Sequence, residues 1–186
     1  MGIQIRERTI DEIEAKIGFM TTSLNKIAYL ESALKEGFTF DIKQKLWKIL
    51  AGLYEERRMF DKAGKAMMNK AVIDFTFRDK IESYLAAAEL YAKAGRVEDS
   101  EDMFTRATRD ATEEQKLKIR LARKNIYFVS ARDLEKRFKK ASALKFYELL
   151  IKMPLDEIEK NEVKEKLILT YRALGRFNDA RLLEGI

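Results

Sequence analysis

Apolar residues recur every three or four positions along most of this chain, which is the spacing of one face of an α-helix. The residues between them are mainly Ala, Glu, Lys and Arg, which favour helices, and the chain has a single proline, Pro154. The longest apolar runs are too short to cross a bilayer, so no membrane segment is expected. The pattern therefore predicts an all-α protein, and its 186 residues suffice for a buried core.

The apolar spacing is most regular in residues 9–37, which it predicts to be one long helix. Thr9 and Glu12 have the spacing of a capping box at its start, and Gly37 marks its end. Two interpretations remain open: the seam pairs with a second copy in a homodimer, or it covers the first repeat of the region that follows. The seam consists of Ile10, Ile13, Ile17, Met20, Leu24, Ile27 and Leu34.

A short motif recurs in the remainder of the chain. Residues 91–100 (YAKAGRVEDS) and 171–180 (YRALGRFNDA) each place Gly-Arg four residues after a tyrosine, and Asp before a small residue. Two weaker copies are 54–63, with Arg58 in the glycine position, and 132–141, with Arg132 in the tyrosine position.

The small residue that ends each copy gives the period of the repeat. A period near forty predicts stacked helical hairpins, each burying its apolar face against its neighbours. The chain therefore divides into an N-terminal helix, residues 1–40, and one continuous repeat domain, residues 41–186. The four small residues are Ala63, Ser100, Ala141 and Ala180, spaced by 37, 41 and 39.

These copies resemble the tetratricopeptide repeat family. The second copy matches at Tyr84, Ala87, Ala88, Tyr91, Gly95, Ser100, Phe104 and Ala107, and the first at Trp47, Leu50, Ala51, Tyr54 and Ala63. The third copy matches better when its register slides by one, which gives Ser142, Phe146, Leu149 and Pro154. The resemblance implies a right-handed α-α superhelix of about four hairpins that binds other proteins.

Positive charge is concentrated in one part of the chain. The net charge is +6, and residues 116–145 contain eleven basic residues and two acidic ones. Thr112 and Gln115 predict a capping box and a helix over about 113–133, on which Lys116, Arg120, Arg123 and Tyr127 form one stripe. Further basic residues follow at the next turn. The candidate binding residues are Lys116, Arg120, Arg123, Lys124, Tyr127, Lys136, Arg137, Lys139 and Lys140.

Two interpretations of this basic hairpin are open. A basic stripe with a tyrosine can follow a phosphate backbone and stack a base, which would indicate RNA, the ribosome or an acidic protein as partner. Alternatively the cations face solvent or pair with acidic residues of neighbouring helices or of a second subunit.

The residue inventory argues against catalysis. The chain has neither cysteine nor histidine, and it has no phosphate-binding glycine loop or nucleophile–base pair. We therefore expect that the protein is not an enzyme and binds no cofactor and no metal. The charged N-terminus does not resemble a signal peptide, which predicts a cytoplasmic protein. The abundance of Lys, Arg and Glu is typical of thermophiles. The sequence favours a non-catalytic adaptor or scaffold that self-associates, with an RNA- or ribosome-associated factor as the alternative.

Overall fold

A computed structural model describes residues 4–109 and 111–185, and all regular secondary structure in those residues is helical. Every helix from α2 onward packs against the next one, and α5 also packs against α7. The predicted all-α class is therefore confirmed. The helices are α1 (Ile10–Gly18), α2 (Ser23–Ala33), α3 (Phe40–Glu56), α4 (Phe60–Ile73), α5 (Phe77–Ala94), α6 (Val97–Arg109), α7 (Glu113–Lys136), α8 (Lys140–Leu150), α9 (Glu157–Ala173) and α10 (Phe177–Glu184).

The N-terminal segment contains two helices, and the prediction of one long helix over 9–37 is wrong. The capping box at Thr9 and Glu12 forms as expected, but α1 ends at Gly18. Thr22 then starts α2, because its hydroxyl accepts a hydrogen bond from the Asn25 N–H at 3.2 Å. A β-branched residue with this capping ability favours a helix start over a helix interior. The second helix ends at Ala33, before the predicted stop at Gly37.

The seam of this segment lies largely inside the protein's own core. Ile13 and Ile27 are buried, and most other seam residues are partly buried against the same cluster, whereas Leu24 is 56% exposed. The cluster includes Leu46 and Leu50 of α3, so the segment covers the first helices of the repeat region. The partly buried members are Ile10, Ile17, Met20 and Leu34.

Four tight turns share one backbone geometry. They follow α3, α5, α7 and α9, and each contains one residue with positive φ: Arg58 (57°), Gly95 (81°), Phe138 (59°) and Gly175 (75°). In each turn the N–H after that residue donates to a carbonyl five residues earlier, which is the closing bond of a Schellman motif. These bonds are Met59 to Tyr54 (2.8 Å), Arg96 to Tyr91 (2.9 Å), Lys139 to Leu134 (2.8 Å) and Arg176 to Tyr171 (2.8 Å).

The turns correct the register of the third motif copy. Leu134 accepts the closing bond there, so it takes the place of the tyrosine, and Phe138 takes the place of the glycine. The buried small residue is then Ala143, whereas Ala141 is exposed, so both sequence-based registers were wrong. The equivalent small residues are Ala63, Ser100, Ala143 and Ala180, spaced by 37, 43 and 37.

The buried apolar residues form two clusters along the chain. The N-terminal cluster runs from Ile5 to Leu90, and the C-terminal cluster runs from Ala87 to Ala180. Met67 packs against both. Across residues 4–109 and 111–185, no helix combines the length and apolar character needed to cross a membrane.

Candidate binding surfaces

The basic region begins at the capping box of α7. The Thr112 hydroxyl accepts from the Gln115 N–H at 3.3 Å, and the Gln115 side chain accepts from the Thr112 N–H at 2.8 Å. The predicted box is confirmed, and the helix continues three residues beyond its predicted end, to Lys136. Lys116, Arg120, Arg123 and Lys124 lie in its first half and Lys136 at its end, whereas Lys139 and Lys140 lie at the start of α8.

Tyr127 is part of the core, so the prediction that it shares an exposed stripe with the cations is wrong. Its side chain is fully buried, with its ring centroid 5.6 Å from that of Phe104 and 5.1 Å from that of Phe146. The hydroxyl donates to Glu101 of α6. Burial, and then this hydrogen bond, raise the pKa of Tyr127 above its ordinary value. A ring enclosed in this way cannot stack on a base.

Several of the candidate cations are paired with carboxylates. Arg123 Nε donates to Glu101 Oε1 at 2.8 Å, and Lys124 Nζ lies 2.6 Å from Glu159 Oε1. Lys116 bonds to Glu113 at 2.9 Å, and Arg137 bonds to Asp133 at 3.2 Å. Other cations of this region are engaged in the same way, so much of the positive charge is neutralised within the protein. These further pairs are Lys118–Glu114, Arg132–Glu162 and Lys145–Glu98.

The remaining four candidates form no ion pair with any residue that the structure describes. Arg120 is exposed near the start of α7, and Lys136, Lys139 and Lys140 are exposed at the turn into α8. Arg120 and Lys136 are sixteen residues apart on one helix, which is about 24 Å. The unpaired cations therefore belong to two separate surfaces.

The first surface is a groove of about 460 Å³ between α7 and the connection from α8 to α9. Leu117 and Leu121 contribute apolar walls although they are 53% and 52% exposed. Arg120 and Lys152, which are both exposed, also line it. The groove could not be predicted from the apolar spacing of α7, because that spacing does not distinguish buried leucines from exposed ones. The other lining residues are Arg123, Lys124, Leu149, Met153 and Pro154.

The second surface is the turn between α7 and α8. Phe138 is 88% exposed there, between Arg137 and Lys139, and it has the left-handed backbone conformation that bulky residues rarely adopt. Sequence reasoning identified the lysines but missed Phe138, because the motif copy was placed in the wrong register.

No grouping of three or more acidic side chains that could hold a metal ion occurs among residues 4–109 and 111–185. In comparison with known proteins, no protein-family model matches the chain, and a search of curated proteins also found no match. The similarity to the tetratricopeptide repeat therefore remains a resemblance in the motif residues.

Proposed function

We propose that this protein is a non-catalytic adaptor, built as a TPR-like right-handed superhelix of about four hairpins, that binds a segment of another protein in the α7 groove. The main observation that supports this proposal is that Leu117 and Leu121 are half-exposed in a groove that Arg120 also lines, and Arg120 forms no ion pair among the described residues. Solvent-exposed apolar side chains gathered in a groove are typical of interaction sites.

The chemistry of the groove defines the partner segment. Covering the exposed halves of Leu117 and Leu121 would contribute roughly 1 kcal/mol each, which favours apolar anchor residues in the partner. Arg120 and Lys152 in the lining favour acidic residues flanking those anchors. We therefore infer an acidic segment with apolar anchors, such as one face of an amphipathic helix.

Site-specific photocrosslinking tests this proposal. A photoreactive residue in place of Met153, which also lines the groove, should crosslink to a distinct set of proteins in native lysate, and the double variant Leu117→Ser, Leu121→Ser with the same photoreactive residue should fail to capture that set. Val129→Ser is the matched control, because Val129 lies on the same helix, is 61% exposed and does not line the groove. Capture that is equal in the double variant and the control would contradict the proposal.

Self-association through the C-terminal end is part of this proposal. Leu169 of α9 and Phe177 and Leu182 of α10 are 53%, 58% and 70% exposed, which offers apolar side chains to a second copy. The burial of the N-terminal seam supports its role as a cover, and dimerisation through the seam stays a prediction. Light scattering measures the mass of the unaltered protein and of the variant Phe177→Ser, Leu182→Ser. A dimer that becomes a monomer in the variant would assign the interface to these side chains, and a dimer that persists would favour the seam.

An RNA- or ribosome-associated role is the second candidate. The paired cations and the buried Tyr127 weaken it for the face of α7, but Lys136, Lys139 and Lys140 remain exposed and unpaired within the described part of the chain. What supports this candidate is therefore confined to the turn at the end of α7.

A further inference from the structure

We propose that two turns of the protein together form a binding surface for single-stranded nucleic acid. This surface, the turn edge, consists of Arg57 and Arg58 after α3 and of Lys136, Phe138, Lys139 and Lys140 around the end of α7. The turn edge is separate from the α7 groove. The inference rests on the second candidate function, RNA binding, and assigns it to these residues, of which Arg57 and Arg58 lie outside the basic hairpin.

The fold brings the two turns together although they are far apart in sequence. The guanidinium of Arg137 lies 5.6 Å from the ring centroid of Phe60, the first residue of α4. The same guanidinium donates to the Lys93 carbonyl oxygen at 3.0 Å, near the end of α5. A Cβ added at Gly95 would lie 3.2 Å from Ser142 of α8, so the turn after α5 is also in close contact with this region. The two turns therefore flank one shared contact.

The charge of the turn edge is not neutralised locally. All five of its cations are exposed, and none forms an ion pair within the described residues. The neighbouring carboxylates are engaged elsewhere: Asp61 bonds to Arg96, Asp133 to Arg137 and Glu135 to Lys166. Glu55 is paired with Lys93, and Glu56, beside Arg57, adds an exposed carboxylate with no ion pair among the described residues. The turn edge therefore presents an excess of positive charge to a polyanion.

The backbone conformation of Arg58 and Phe138 indicates that these side chains serve a purpose other than stability. The equivalent turn residues after α5 and α9 are Gly95 and Gly175, which adopt positive φ without steric cost. Arg58 and Phe138 hold the same conformation with side chains that make it unfavourable. Both exceptions occur on the turn edge, where they add one cation and one exposed aromatic ring.

The composition of the turn edge favours a single-stranded nucleic acid over a membrane. A flat ring flanked by cations can stack one unpaired base while the cations contact the adjacent phosphates. A duplex would keep its bases stacked and out of reach of the ring. Both turns lie wholly within the described residues, and in them Phe138 is the one strongly exposed apolar side chain. A single inserted residue with a few cations gives only marginal anchoring to lipid.

Fluorescence anisotropy with a labelled twelve-nucleotide oligouridine RNA tests the inference on the full chain. We expect binding at 50 mM salt that weakens about a hundredfold by 200 mM salt, as about five phosphate contacts to a single strand require. The triple variant Lys136→Glu, Lys139→Glu, Lys140→Glu and the double variant Arg57→Glu, Arg58→Glu should each lose at least about tenfold in affinity. Phe138→Ala should lose about fivefold or more.

A matched control separates a defined surface from general attraction to a basic protein. Lys45→Glu, Lys65→Glu, Lys160→Glu makes the same charge change at exposed lysines outside the turn edge, and we expect a loss of about twofold or less. An equal loss in this control would overturn the inference, as would undetectable RNA binding at 50 mM salt. Sedimentation with anionic vesicles that depends on Phe138, without RNA binding, would replace it by a membrane surface. The groove variant Leu117→Ser, Leu121→Ser should bind the RNA normally, so the two proposals fail separately.

Discussion

Residues 58 and 138 occupy backbone positions that glycine occupies elsewhere in the same protein. A left-handed conformation costs about 1–2 kcal/mol for a residue with a side chain. The cost is highest for a bulky residue such as Phe138, whose ring gains nothing from burial because it is 88% exposed. At the scale of single residues, stability and the proposed nucleic-acid binding therefore make opposite demands on position 138.

Phe138→Gly should raise the free energy of unfolding by about 1 kcal/mol, because it removes the steric cost of positive φ. For a chain of this length the melting temperature should rise by about 2–4 °C, which calorimetry measures. Phe138→Ala is the control, since it deletes the ring but keeps a Cβ at positive φ. A glycine variant no more stable than the alanine variant would contradict the assignment of strain.

The positions of the turns could be predicted from the sequence where the motif is intact, and could not where its tyrosine and glycine are both replaced. Tyr91 with Gly95, and Tyr171 with Gly175, correctly marked the turns after α5 and α9. In the third copy Leu134 replaces the tyrosine and Phe138 replaces the glycine, so neither signal remained. The partners of the cations could not be predicted either, because Glu101 and Glu159 lie 22 and 35 residues from Arg123 and Lys124.

At the scale of elements, the N-terminal segment is a cover for the first helices of the repeat region. Its apolar periodicity identified the residues that face the core but could not reveal that α1 and α2 are separate helices. The same spacing continues across the break, and the capping hydrogen bond of Thr22 is a local feature that the apolar pattern does not contain. Leu30 is buried against α3, whereas Leu24 on the same helix is 56% exposed.

Leu30→Ala should lower the free energy of unfolding by about 2–5 kcal/mol, because it leaves a cavity between α2 and α3. Leu24→Ala should lower it by less than about 1 kcal/mol, because that side chain has little contact to lose. Urea unfolding measures both changes. If Leu24→Ala instead destabilises the protein strongly, and does so more at high protein concentration, the seam forms a dimer interface.

At the scale of the whole molecule, tyrosine–glutamate hydrogen bonds join successive helices. Tyr54 of α3 donates to Glu31 of α2, and Tyr171 of α9 donates to Glu148 of α8 at 2.8 Å. A neutral phenol donates each bond, so the folded state favours the protonated tyrosine. Tyr127–Glu101 and Tyr147–Glu135 (3.0 Å) join helices in the same way, and Tyr29–Glu7 (2.7 Å) joins α2 to the segment before α1.

Stability should fall steeply in alkali because burial, and then these hydrogen bonds, raise the pKa of each tyrosine above 10.0, that of Tyr171 to about 12. A raised pKa of a phenol stabilises the fold below the unfolded value and loses that contribution as pH rises through the folded value. Urea unfolding between about pH 9 and pH 12 measures the decline, which begins near the unfolded pKa of 10.0 and continues to the folded pKa of Tyr171, about 12. Tyr171→Phe should reduce its slope, and a free energy of unfolding that stays constant over this range would contradict the prediction.

The division of the core into two clusters bears on how the chain is made. Among the described residues, the buried members of the N-terminal cluster end at Leu90 and those of the C-terminal cluster begin at Ala87, while Met67 of α4 packs against both. A chain synthesised from its N-terminus can therefore assemble the N-terminal cluster before the residues that follow α5 are added. If the chain folds in that order, Phe60 is in place before Arg137 packs against its ring.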